Sequence, residues 1–243
     1  MHRLLAVALL ALVAFVAAEP ALAQDLSINF GDDGSLATRS VQLLLLITVL
    51  SIVPGLAITL TCFPFVVTVL SILRQAIGLQ QSPPNMLIVS LALFLSWYVM
   101  DPVVTEAWTQ GIEPLTRGAI ELDAAIKATL APFRVFMAGR LDIETFAAMQ
   151  ALRPEASPLP PVDSALSLLI PSFLLSEIQR AFEIGFLIFL PFLIIDLVVA
   201  AVLMAMGMMM VPPAVVALPF KLAFFVVADG WSLIAGALVR SYF

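Results

Sequence analysis

From Val41 to Leu73 the chain carries no charged residue. Lipid offers no hydrogen bonds, so a segment this apolar must satisfy its backbone internally, which restricts it to helix. The run is longer than the ~20 residues that cross ~30 Å of hydrocarbon, and Pro54-Gly55 and Pro64 interrupt it. A bent or broken helix is expected. Three more apolar segments follow: Met86 to Met100, closed by Asp101-Pro102; Gly185 to Met210, containing Asp196; and Val211 to Ala228, containing Lys221. Residues 41–100 thus read as one apolar helical hairpin and 165–243 as a second, giving an all-α, membrane-associated fold.

Between them, residues 101–164 read as a helical insert. Nine acidic and five basic residues lie between Asp101 and Asp163, interspersed with leucine and alanine at helical spacing, and Pro154, Pro158, Pro160 and Pro161 form a stiff exit. That pattern fits two or three short amphipathic helices facing water. The short first loop carries Arg74 and no acid, as the positive-inside rule prefers for the cytoplasmic side, so the acidic insert is expected in the periplasm. Residues 1–23 have the zones of a secretory signal peptide: a basic start at His2 and Arg3, an apolar run from Leu4 to Ala18, and a small-x-small site at Ala21-Leu22-Ala23. Cleavage is expected before Gln24, leaving 24–40 as a short exposed leader.

Composition narrows the function. Hydrophobic residues make up 62% and charged residues 12%, against about 45–50% and about 25% in soluble domains. A soluble enzyme is excluded. The net charge of -6 leaves no basic face for nucleic acid. His2 is the only histidine and Cys62 the only cysteine, so imidazole chemistry, Cys/His zinc sites and intrachain disulfides are absent. No phosphate-binding Gly-x-x-x-x-Gly-Lys-Ser/Thr pattern occurs. The chain reads as a non-enzyme without a cofactor, and any energy for its work is supplied elsewhere.

Four groups of residues and one cysteine stand out. Met206 and Met208, Met209 and Met210 surround Gly207 and precede Pro212-Pro213. Methionine is adaptable, so the run serves equally well as core or lipid-facing filler or as a yielding apolar gasket. The turn it forms has no charge, so its free backbone groups must be buried or line a cavity. Asp196 and Lys221 are costly in apolar surroundings; a structural ion pair or a subunit contact suits them better than a proton relay, which needs more groups. Glu177, Arg180 and Glu183 recur at a spacing of three on an otherwise apolar helix and are read as subunit contacts. Arg74, Gln80, Gln81, Pro83, Pro84 and Asn85 fit a membrane-edge anchor and turn, or a contact with a cytoplasmic partner. Cys62 reads as a buried small hydrophobe.

The stretch Leu73-Arg74-Gln75-Ala76-Ile77-Gly78-Leu79-Gln80-Gln81-Ser82-Pro83-Pro84-Asn85 resembles the FliP family of flagellar export proteins. So do Gly185-Phe186-Leu187, Leu190 to Val199, Met206-Gly207-Met208-Met209-Met210-Val211-Pro212-Pro213, Leu218-Pro219-Phe220-Lys221-Leu222 and Asp229-Gly230-Trp231. The likeness covers nearly all of Val41–Met100 and Leu168–Trp231, is weak in the leader and insert, and favours the flagellar branch over virulence-secretion relatives. It implies a core subunit of the type III export gate in the bacterial inner membrane and flagellar basal body. It further implies a homo-oligomeric, pentameric ring joined by FliQ and FliR, near FlhB and FlhA, that passes unfolded flagellar proteins, with Met206 to Met210 as the gasket. The family usually reads Thr-Ser-Phe-Thr-Arg where this chain has Thr61-Cys62-Phe63-Pro64-Phe65. The rival classes are a small-molecule or ion transporter, disfavoured because the two halves show no evident repeat, and an intramembrane enzyme, which lacks the side chains for one.

Overall fold

A computed structural model describes residues 36–79, 83–153, 159–208 and 210–243. The expected signal peptide, its cleavage site, the leader up to residue 35, Gln80, Gln81 and Met209 lie outside the described residues. Every regular element among the described residues is helical.

Helix α1 spans Leu36–Thr59 and runs through Pro54-Gly55, the first of the two interruptions in the apolar run. The chain breaks at residues 60–62, directly before the second, Pro64. There the Thr61 hydroxyl donates to the Ile58 carbonyl at 2.7 Å and accepts from the Phe63 N–H at 3.2 Å, offering the backbone an alternative to helical bonds. Pro64 then falls in the first turn of α2, Phe63–Ile77, where its missing N–H costs no helical bond.

Residues Ser51–Phe243 form one compact unit, and α2 is its centre. At 15 residues it is only ~22 Å long, short of a membrane crossing. Phe65, Val66, Val69, Leu70, Leu73, Ala76 and Ile77 are buried along it, at the i, i+3, i+4 spacing of a packed face. Against them lie Ile88 and Ala92, Ala181 and Phe192, Phe225, and Ile234 and Leu238 from four later helices. Those helices are α3 (Asn85–Ala107), α7 (Leu166–Ala205), α8 (Pro213–Val227) and α9 (Gly230–Arg240).

The sequence segmentation is corrected at two places. Helix α3 does not close at Asp101-Pro102 but continues to Ala107, because proline's fixed φ is helical and its cost inside a helix is one bond and local crowding. A π-helical turn at Trp108–Ile112 and the short α4, Glu113–Thr116, extend the same rod. Likewise the helix carrying Glu177, Arg180 and Glu183 and the apolar segment from Gly185 are one helix, α7, of 40 residues, ~60 Å long and about twice the hydrocarbon thickness. Glu177, in its first half, is buried with partners described below.

The insert supplies α5 (Leu122–Arg140), α6 (Ile143–Ala151) and a 3-10 turn at Pro161–Asp163. Met137, Leu141 and Phe146 pack on Leu168, Leu169 and Phe173 of α7. The Asp142 carboxylate caps α6 by accepting from the Thr145 N–H at 2.8 Å, and that bond holds its carboxyl below the usual range. Arg134 donates to the Val162 and Ser164 carbonyls at 3.1 and 2.8 Å, fixing the exit of the insert.

Two rods, Asn85–Thr116 and Leu166–Ala205, are long and apolar enough to cross a membrane, and α8 with α9, bent by 61°, is a third, broken candidate. The four apolar segments are therefore not four equal straight helices; this is an all-α membrane protein with a short helix at the heart of its core.

Helices α2 and α7 pack tightly at Gly185, where an added Cβ would stand 2.4 Å from Ile72 Cδ1, 3.1 Å from its Cγ2 and 3.3 Å from its Cβ. We expect Gly185→Val to push the helices apart and cost about 1–3 kcal/mol, the range for overpacking. Adding Ile72→Ala should recover part of that loss. Denaturant titration of the three detergent-solubilised variants checks both statements.

Candidate functional site

Helix α7 ends in a complete Schellman cap. Gly207 adopts a φ of +73°, its N–H donates to the Met204 carbonyl at 3.0 Å, and the Met208 N–H donates to Leu203 at 2.9 Å. These are the paired bonds of that motif, and a left-handed residue there is ordinarily glycine. The Met206 N–H reaches Val202 at 3.0 Å and the Val211 N–H reaches Met208 at 3.3 Å. Pro212 and Pro213 then open α8. The uncharged turn satisfies these backbone groups locally, the alternative that its sequence left unconsidered.

With its backbone tied down, the loop turns its side chains outward. Met204, Met206, Met208 and Met210 are exposed, Met210 at 99%. Beside the loop an open cavity of about 530 Å³ runs between α7 and α8, lined by Ile194, Val198, Val202, Leu203, Met206, Met208, Phe220 and other apolar side chains. Met204, Met206, Met208 and Met210 therefore take no part in the buried core of this chain.

On the same two helices, next in sequence to the lining residues Ile195 and Phe220, Asp196 and Lys221 pair with each other at 2.6 Å. Lys221 is buried and also donates to the Ala76 carbonyl at 3.0 Å. Ala76 lies in the last turn of α2, where carbonyls lack helical partners and a cation is favourable. The ion pair therefore ties α7 and α8 to the end of the central helix.

Glu177, Arg180 and Glu183 do not act together. Glu183 is exposed and accepts from the Gln179 side-chain amide at 3.2 Å, and Arg180 is half-buried. Glu177 is 0% exposed. Within this chain the carboxylate is used by side chains of other elements rather than left at the surface. Its partners are Arg140, whose Nε lies 3.2 Å from Oε1, and Tyr242, whose hydroxyl donates to Oε2. Arg140 also donates to the Ser241 carbonyl at 2.8 Å and stands 4.0 Å from the centre of the Tyr242 ring. Burial, and then the Glu177 charge, push the Tyr242 phenol above its usual range, so it stays a donor. Phe65, where the resemblance leads one to look for arginine, packs edge-on against Tyr242; the cation beside Glu177 comes from Arg140.

At the first hairpin, Arg74 donates to the Asn85 side chain, Gly78 ends α2, and Pro84 precedes α3 with its carbonyl accepting from Leu87 at 2.9 Å. Arg74 and Asn85 are thus used within the turn. No cluster of three or more His, Cys, Asp or Glu side chains that could hold a metal occurs among the described residues.

Comparison with known proteins bears on this geometry. Residues 46–238 match the model of the FliP family. The chain is 49% identical to the flagellar biosynthetic protein FliP of Caulobacter vibrioides, over 91% of this chain and 84% of that protein. It is 45% identical to that of Agrobacterium fabrum, over 86% of each, and 41% identical to that of Bacillus subtilis, over 89% of this chain and 98% of that protein. The matched span contains the capped methionine loop, the Asp196 and Lys221 pair and the Arg74 turn, and by this match the chain belongs to the FliP family.

Proposed function

We propose that the chain is a core subunit of the flagellar type III export gate, a non-enzymatic component of the inner membrane and basal body. Several copies form a ring, pentameric on the earlier resemblance, with FliQ and FliR, in contact with FlhB and FlhA. Unfolded flagellar proteins pass through it. The insert faces the periplasm, and Met206, Met208, Met209 and Met210 from neighbouring copies meet on the axis as a gasket.

The observation that carries this reading is the capped loop. Its backbone is held by four local bonds while Met206, Met208 and Met210 are exposed, so the position is rigid and the contact surface adaptable. Unbranched thioether side chains can close on one another without water and yield to chains of varied shape, and an apolar constriction resists ions by dewetting.

Met210→Cys tests the convergence. The one native cysteine, Cys62, is 0% exposed and does not compete. Mild oxidation of the assembled complex should link Met210→Cys subunits into covalent dimers, whereas Leu152→Cys, exposed in the insert, should stay monomeric. Monomers for both variants would mean that the loops do not meet.

A further inference from the structure

The chain after α8 is built like an arm with a hinge at one end. Helix α9 departs from α8 at 61°, and Asp229 at the bend holds a φ of +48°, the only positive φ among the described non-glycine residues. A non-glycine residue in that region is strained and persists only when its surroundings enforce it. At the other end, Tyr242 and Ser241 are held by Glu177 of α7 and Arg140 of the insert.

That fastening joins residues 37 and 65 positions apart in the chain through one buried ion pair. It is also incomplete: Arg140 Nη2 is buried with no hydrogen-bond partner. Buried polar networks that are not fully satisfied hold less firmly than apolar packing of the same volume. Beneath the fastening, Val239 and Tyr242 pack over Cys62, Val99 and Met100, and Cys62 donates to the Ser96 carbonyl.

We propose that Arg140, Glu177 and Tyr242 form a latch, and that α9 swings about Asp229 as a local unit when the latch opens, uncovering the break at residues 60–62. The latch mechanically couples the insert to the second hairpin, because one guanidinium holds α7 and the end of the arm together. Local opening of such a unit at a free energy below that of global unfolding is common in proteins.

Cys62 reports the motion, since it is the only thiol and lies under the arm. The experiment follows maleimide alkylation of Cys62 in the detergent-solubilised full chain, alongside its thermal unfolding. Tyr242→Phe keeps the ring and removes one hydrogen bond to a charged group; alkylation should accelerate about tenfold or more while the unfolding temperature falls by only a few degrees. Gly111→Ala overpacks the π-helical turn against the start of α5, where the added Cβ would stand 2.0 Å from Thr129 Oγ1, at the opposite end of that helix from Arg140, so it should lower the unfolding temperature and leave alkylation unchanged. An unchanged rate in Tyr242→Phe would overturn the proposal. So would Gly111→Ala accelerating alkylation as much as Tyr242→Phe, because Cys62 would then be uncovered only by global unfolding.

Discussion

Replacing Glu177 by alanine should destabilise the chain by about 3–5 kcal/mol, the usual cost of removing one partner from a buried ion pair. The side chain is fully buried, and its loss strands the Arg140 guanidinium and the Tyr242 hydroxyl together. Arg140 keeps its bond to the Ser241 carbonyl and its place over the Tyr242 ring, but neither neutralises it. Glu177→Gln retains an acceptor for Tyr242 and loses only the charge, so its cost should be clearly smaller. The double variant Arg140→Met/Glu177→Leu should recover much of the loss, because apolar side chains of similar volume commonly replace a buried pair at little cost. Denaturant titration of these variants gives the comparison. A loss below about 1 kcal/mol for Glu177→Ala would mean that the cavity left behind fills with water and that the pair is not a structural anchor.

The sequence made some of this arrangement legible. Asp196 and Lys221 stand in apolar segments, where an isolated charge is costly, so a pairing could be anticipated from composition and is found at 2.6 Å. Gly207 and the two prolines after the methionines mark the end of one helix and the start of the next by backbone chemistry alone, and the cap falls there. Other features depended on long-range packing. Arg140 sits among the solvated charges of the insert, and nothing local separates it from Arg134 or Arg153; only the fold brings it to Glu177 and Tyr242. The continuity of α7 was hidden because charge within a helix reads as a boundary until its buried partner is known. Of the prolines, Pro64 marks the observed break, lying in the first turn after residues 60–62, whereas Pro54 and Pro102 are carried inside continuous helices, because proline weakens a helix only locally.

The second large effect concerns the proposed seal. Replacing Met208, Met209 and Met210 by alanine removes most of the side-chain volume and keeps the backbone. The cap bonds of Gly207 and Met208 are made by main-chain atoms, so folding and assembly should survive. The apolar rim would be thinned, water would enter the constriction, and ions and small solutes should leak several-fold faster than through the parent, with export weakened less than sealing. Gly207→Val acts on the opposite property. Nothing lies within 4 Å of the added Cβ, so the penalty is one of backbone strain, about 1–2 kcal/mol for a side chain forced into the left-handed region. It should unravel the cap and misplace the methionines, impairing export more than the triple-alanine change does.

Single-complex conductance across a planar bilayer separates gasket from filler most directly. Parent and triple-alanine complexes of equal subunit content would be recorded at the same voltage. The seal predicts a nearly silent parent and a persistently conducting variant. A triple-alanine complex that assembles normally and remains as tight as the parent would contradict it.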